Sequence, residues 1–168
     1  MPDQDDSRVK TIAQISLFIV LLPVIAPLFL IAITFIVLYE SSLYLLIWLL
    51  WFPRGKDVLF VSSNSPIWNQ YMTDQVLPLV AGRAVILNWS ERKSWPRWSL
   101  AKHFFRACAG HREFNPMVVV FRPLRRAVFF RFYVPLKHLK HGNAEPVEWL
   151  RQELADCVGS ETERVAKP

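Results

Sequence analysis

Ser62, Ser63, Asn64 and Ser65 follow directly on the short apolar run Val58–Val61 and lead into Pro66, Ile67 and Trp68. A buried strand ending in such a polar turn delivers the chain to a helix start. Ser65 suits the N-cap. Pro66 suits the first helical position, where an N–H would have had no intrahelical partner. Free N–H groups at a helix start, with the helix dipole behind them, favour an anion, a thiolate or a developing negative charge. Ser62, Asn64 and Ser65 are therefore candidate ligand-binding groups, and Ser65 is also a candidate catalytic group. The plainer reading is a well-capped helix start, because Ser and Asn are the common capping residues.

A second grouping is NWSERKSW, Asn88 to Trp95. Polar groups just past the end of a parallel strand lie where open α/β sheets bind ligands. Asn88, Ser90 and Arg92 have the chemistry to orient a substrate, with Glu91 as an acid or base. The alternative is a solvated loop in which Glu91 pairs with Arg92 or Lys93. Trp89, Trp95 and Trp98 weigh against simple solvation and point to a membrane interface or a partner.

The third grouping is basic. Between Arg83 and His141 thirteen Lys/Arg stand against two acids, and all four His fall in the same stretch. KHLKHG sets His138 and His141 three apart, each directly after a lysine (Lys137 and Lys140), which makes both His catalytic candidates. A zinc site needs further ligands and would not be crowded by cations, so no metal is expected. Phosphate or an anionic lipid headgroup suits this chemistry better. A generally basic face is the plainer reading. Nucleophile triads, Walker loops, GxGxxG and paired carboxylates are absent, and five Gly leave little material for a phosphate-cradling loop, so no cofactor is expected. Charge alone does not imply nucleic acid, and no DNA- or RNA-reading motif accompanies it.

These groups need elements to position them. Val58–Val61 reads as a first strand, and Pro66–Val80 as a helix with Trp68, Met72, Val76 and Val80 at fourfold spacing. Pro78 should kink or end that helix, and Gly82 stops it. Ala84–Trp89 is a second strand. Ser99 caps a helix over Leu100–Ala109, and Met117–Phe121 is a third strand entered from Pro116. Ala127–Val134 is a fourth strand, close enough to the third for an antiparallel hairpin. KHLKHGN reads as a loop, Pro146–Cys157 as an amphipathic helix, and 159–168 as a flexible tail. The order is βαβαββα, an α/β class in which strands separated by helices are expected to pair in parallel through right-handed crossovers.

That order resembles the thioredoxin-like family over roughly Lys56 to Val158. In the family the active motif lies between the first strand and first helix, where this chain has SNSPIW. A cis-proline precedes the third strand, where this chain has Asn115-Pro116. The resemblance implies a pocket edge at SNSP facing Pro116, which adds Pro116 to the ligand-binding candidates. The CxxC motif is absent and neither Cys108 nor Cys157 is near that loop, so the family's thiol–disulfide chemistry is excluded.

The N-terminal part is different in kind. From Thr11 to Phe52 the only charge is Glu40. Residues 1–11 read as a tail, 12–52 as a retained transmembrane or interfacial anchor, and 54–158 as the thioredoxin-like domain. Leu43–Phe52 admits three arrangements: an interfacial continuation of one tilted span, the second arm of a hairpin broken at Pro23 or Pro27, or a buried helix. Beyond the anchor, Arg54–Pro168 holds 18 of the 20 Lys/Arg but 10 of the 14 Asp/Glu. The positive-inside tendency then expects the domain on the cytoplasmic side. Two isolated cysteines agree with a reducing compartment. The functional expectation is a membrane-anchored, non-redox binding or scaffold module. Its expected partners are the lipid bilayer, a membrane protein or an anionic headgroup, with no nucleic acid. The competing class is a membrane-bound transferase or hydrolase acting on a phosphorylated, thiol-containing or lipid-linked substrate.

Overall fold

The computed structural model describes residues 3–109 and 116–165. Thr11–Ser42 offers nothing but apolar side chains and a few hydroxyls, Gln14 and Glu40, and the chain forms one helix, α1, from Asp3 to Leu50. Pro23 and Pro27 lie inside it, so the hairpin arrangement is not adopted. Thr34 and Ser42 return their hydroxyls to the carbonyls of Leu30 and Tyr39 at 2.8 and 2.7 Å, which satisfies polar groups on an otherwise apolar rod. The chain divides into two units, Met1–Ser42 and Leu43–Pro168. In the first, large apolar side chains from Leu21 to Tyr39 are exposed on every side. Leu21–Arg54 is long and apolar enough to cross a membrane.

The second unit is a mixed α/β structure around a four-stranded sheet. Its strands are β1 (Val58–Ser62), β2 (Ala84–Asn88), β3 (Met117–Val120) and β4 (Val128–Arg131), in the order β2-β1-β3-β4. β1 and β2 are parallel, with Ser62 opposite Asn88. β3 runs antiparallel to β1, Val61 opposite Met117, and β4 antiparallel to β3. The expected hairpin of the last two strands is present, but the expected parallel β3 is not. The Trp89–Ser99 segment ahead of the intervening helix is long, so that helix is not obliged to return the chain to the sheet's starting end.

Alternation along the strands divides the core in two. Val58 and Phe60 with Val118 and Val120 face one layer, built from α2 (Asn69–Tyr71), α3 (Leu77–Val80), α5 (Tyr133–Lys140) and α6 (Glu145–Val165). Leu59 and Val61 with Met117 and Val119 face the other, where α4 (Leu100–Ala109) contributes Ala101, Phe104 and Phe105. The same side receives Leu43, Ile47 and Trp51, spaced four apart along one stripe of helix. Tyr44 meets Phe104 edge-on at 5.4 Å, and Trp51 meets Phe121 at 5.6 Å. From Leu43 onward one stripe of the helix thus packs into the core of the α/β unit.

Three further boundaries differ from expectation. Between α2 and α3, Met72–Val76 has π-helical spacing, with Leu77 N–H on the Met72 carbonyl. The wider turn makes room ahead of Pro78, whose ring would crowd an α-helical Asp74 carbonyl. The fourth strand stops at Arg131, and most of the expected KHLKHGN loop is helix α5. Pro135 lies in its first turn, where a missing N–H costs nothing. α6 continues past the expected stop near Gly159 to Val165, through residues ETER of good helix propensity.

One buried ion pair fastens the entry to the sheet. Asp57, just before β1, takes two bonds from the Arg83 guanidinium, including Nε at 2.8 Å, and Arg83 also donates to the Val158 carbonyl at 3.1 Å. It thereby joins the starts of β1 and β2 to α6.

Candidate functional site

Parallel pairing of β1 and β2 releases two loops side by side at their carboxyl ends, after Ser62 and Asn88. Asn88 is extended (φ −87°, ψ 111°) and opens a 3-10 turn over Trp89–Glu91, its Oδ1 accepting the Ser90 N–H at 3.0 Å. Its Nδ2 donates to Asn64 Oδ1 and to Glu91 Oε1, each at 2.9 Å. The circuit closes when the Asn64 N–H donates to Ser90 Oγ at 2.9 Å. Both donors of the Asn88 amide and its acceptor are engaged, so the group is fixed in orientation.

The aromatic residues hold the second loop down. Trp95 donates its Nε1 to the Asn88 carbonyl at 3.0 Å and packs edge-on against Phe105 and Trp89. Arg92 lies over the Trp89 ring, 5.0 Å from its centroid, in cation–π geometry. The Ser94 hydroxyl donates to the Glu91 carbonyl at 2.7 Å. Trp98 does not join this packing and is 92% exposed.

Of the residues singled out from sequence, Asn64, Asn88, Ser90 and Glu91 meet in one network, and Arg92 stands over the neighbouring ring. Ser62 is half-buried opposite Asn88. Pro116 is buried just before the Val61–Met117 pair, at the carboxyl end of β1, and its carbonyl accepts the Phe132 N–H at 3.0 Å. Asn115 lies outside the described residues.

Ser65 does not act as expected. Its carbonyl accepts the N–H groups of Trp68 and Asn69, at 3.3 and 2.9 Å, and α2 begins only at Asn69 with no side-chain cap. Residues 66–68 form a turn, so the helix start expected at Pro66 comes later and α2 itself is three residues long. His138 and His141 are exposed at the far end of α5, whose buried Leu136 belongs to the opposite core layer from Trp89 and Trp95. The network contains neither His. Among the described residues no group of His, Cys, Asp and Glu is placed to hold a metal ion. Cys108 is half-buried in α4, and Cys157 is buried in α6, its sulfur 3.1 Å from an Arg122 guanidinium nitrogen.

Sequence reasoning missed a second polar cluster. Tyr71 on α2 donates to Glu148 on α6 at 2.9 Å, and Glu148 also takes the Arg151 Nε at 2.8 Å. Arg151 and then Tyr71 hold the Glu148 carboxyl below its ordinary range. Burial, followed by the bond to Glu148, pushes the Tyr71 hydroxyl up to about 12. Glu148–Arg151 was visible as an i,i+3 pair, but no local signal marks Tyr71 as its third member. No family model matches the chain, and no curated protein or solved structure shows significant similarity to it.

Proposed function

We propose that the chain is a membrane-anchored, non-redox binding module with a thioredoxin-like domain on the cytoplasmic side, engaging a membrane protein or an anionic headgroup. The sheet order β2-β1-β3-β4, with β3 entered from Pro116 beside the end of β1, supports the thioredoxin-like reading. The observation that carries the binding reading is the closed circuit Asn64–Asn88–Ser90–Glu91. These loops use their polar groups on one another, while Trp98 beside them is left in solvent. A fixed loop presenting an aromatic is suited to contact rather than to turnover.

Thermal shift of the full chain in nanodiscs against phosphates, thiols and nucleotides tests this reading. It expects no small-molecule stabilisation that depends on Glu91. Stabilisation abolished by Glu91→Gln would move the assignment to the transferase or hydrolase class. Orientation has its own test, motivated by the excess of Lys/Arg after Phe52. Gln152→Cys on exposed α6 should resist an impermeant thiol reagent in intact cells and react after lysis. Labelling in intact cells overturns the cytoplasmic assignment.

A further inference from the structure

The two layers covering the sheet differ in charge. The layer of α4 and its preceding loop, Trp89–Ala109, carries Arg92, Lys93, Arg97, Lys102 and Arg106 against the single acid Glu91. In the opposite layer α6 carries Glu145, Glu148, Glu153 and Asp156 against Arg151 up to Ser160, and α5 carries Lys137 and Lys140. The basic layer also carries a contiguous apolar stripe, whereas the acidic layer exposes Val134 and Trp149 on separate helices. In the basic layer the helix end that buries Leu43, Ile47 and Trp51 against the sheet leaves Leu45, Leu46, Leu49 and Leu50 exposed on its other side. Trp98, in the loop leading into α4, is 92% exposed.

Exposed leucines, a fully exposed tryptophan and a field of cations with one acid are the combination that an anionic lipid surface accepts. The apolar groups enter the headgroup boundary, the indole suits the interface, and the cations meet the phosphates. We infer that the face formed by the last two turns of α1 together with the Trp89–Trp98 loop and α4 lies against an anionic leaflet, and that α6 faces away from it. The inference rests on the membrane-anchored reading and names the headgroup partner left open there. Each cation near such a leaflet contributes about fivefold in affinity, or on the order of 1 kcal/mol. Neutralising two of them should therefore reduce lipid contact by roughly 25-fold.

The test places a photo-reactive benzoylphenylalanine at Trp98 or, as control, at Trp149 on α6, which is 66% exposed. Each full-length chain is reconstituted in vesicles of phosphatidylcholine alone or with phosphatidylserine, and lipid adducts are read by mass spectrometry. The expected result is adducts from position 98 that rise with phosphatidylserine, and none from position 149. Lys93→Gln with Arg97→Gln should bring the position-98 signal down by the stated factor while leaving flotation unchanged. Absent adducts at 98 in a chain that floats with the vesicles overturn the inference and leave the anchor intact. A chain that does not float overturns the anchor itself, and the inference with it. Illumination in native membranes gives a further arm: a polypeptide adduct at 98 in place of lipid would reassign the face to a protein partner.

Discussion

Ile47 separates two views of the last turns of α1. As part of a membrane anchor it would face lipid, and truncating it would scarcely alter the α/β unit. In the structure it is 0% exposed, packed with Leu43 and Trp51 against Leu59, Val61 and Phe121. Ile47→Ala then removes a buried side chain from a filled core, at a cost of about 2–5 kcal/mol. For a domain of this size that lowers the melting temperature by roughly 10–20 °C. Val134→Ala, exposed on α5 and away from the leucine face, is the control and should stay within about 0.5 kcal/mol. Both are measured on the full chain in nanodiscs, by near-ultraviolet circular dichroism during heating. Equal shifts for the two variants would refute the assignment of Ile47 to the core. Truncation sharpens the comparison. A chain beginning at Arg54 loses Leu43, Ile47 and Trp51 together, about 5–9 kcal/mol at the usual burial value for large apolar side chains. That matches the net stability of a typical domain, so the shorter chain should not unfold cooperatively, whereas one beginning at Leu43 should. A cooperative transition at the same temperature in both would refute the same reasoning.

Asn88→Ala should release both carboxyl-end loops, costing about 1–3 kcal/mol and raising amide exchange over Trp89–Trp95; unchanged exchange would mean that the amide does not hold the turn. Asp57→Ala removes the carboxylate that takes two bonds from the part-buried Arg83 guanidinium, with an expected loss of about 1–3 kcal/mol in chemical denaturation. The Tyr71–Glu148–Arg151 cluster predicts two pH limbs. Glu148 titrates lower in the folded chain, so its contribution is full above about pH 4.3 and is lost as pH falls through the lowered value. Tyr71 titrates higher, so its contribution is full below about pH 10 and is lost as pH rises toward its folded value near 12. Tyr71→Phe should remove the alkaline limb in melting experiments across pH and weaken the acid one; an unchanged alkaline limb would contradict the role of the hydroxyl.

Local chemistry made part of the fold legible. Ser99 as a cap, followed by ten residues with Ala101, Phe104 and Phe105 on one stripe, predicts α4 at the bounds it has, with Lys102 N–H on Ser99 Oγ at 3.4 Å. The apolar runs at Val58 and Met117 are β1 and β3. The core role of Leu43, Ile47 and Trp51 was hidden because the opposite side of that helix is also apolar, so no contrast reveals their fourfold period. α5 takes its first residues from the expected fourth strand and its last four from the expected KHLKHGN loop, where Lys and His overshadow Leu139. The antiparallel direction of β3 has no local signal, since the Trp89–Ser99 stretch ahead of α4 carries no hydrophobic period. At the site, Asn64 was singled out in one turn and Asn88, Ser90 and Glu91 in another, and it is the parallel pairing of β1 and β2 that joins them. His138 and His141 were added for their chemistry alone, and nothing in their spacing fixed the layer they occupy.

The leucine face of α1 beyond Ser42 links these points. A helix end that served only to tether a domain would gain nothing from a stripe of Leu43, Ile47 and Trp51 at contact distance from a sheet. One that served only as soluble core would not leave Leu45, Leu46, Leu49 and Leu50 uncovered on its other side. Both features together fit the proposed placement, with protein on one side of this segment and a lipid surface on the other. Burying those four side chains in lipid removes a cost that water would impose, at about 25 cal/mol per Å² of apolar surface. The α/β unit should therefore be more stable in a bilayer than in water even when Met1–Ser42 is removed, provided the leucines are intact. Melting a Leu43–Pro168 chain with and without vesicles checks this. A vesicle-induced gain that survives Leu45→Gln with Leu49→Gln would show that the leucine face is not what the lipid stabilises.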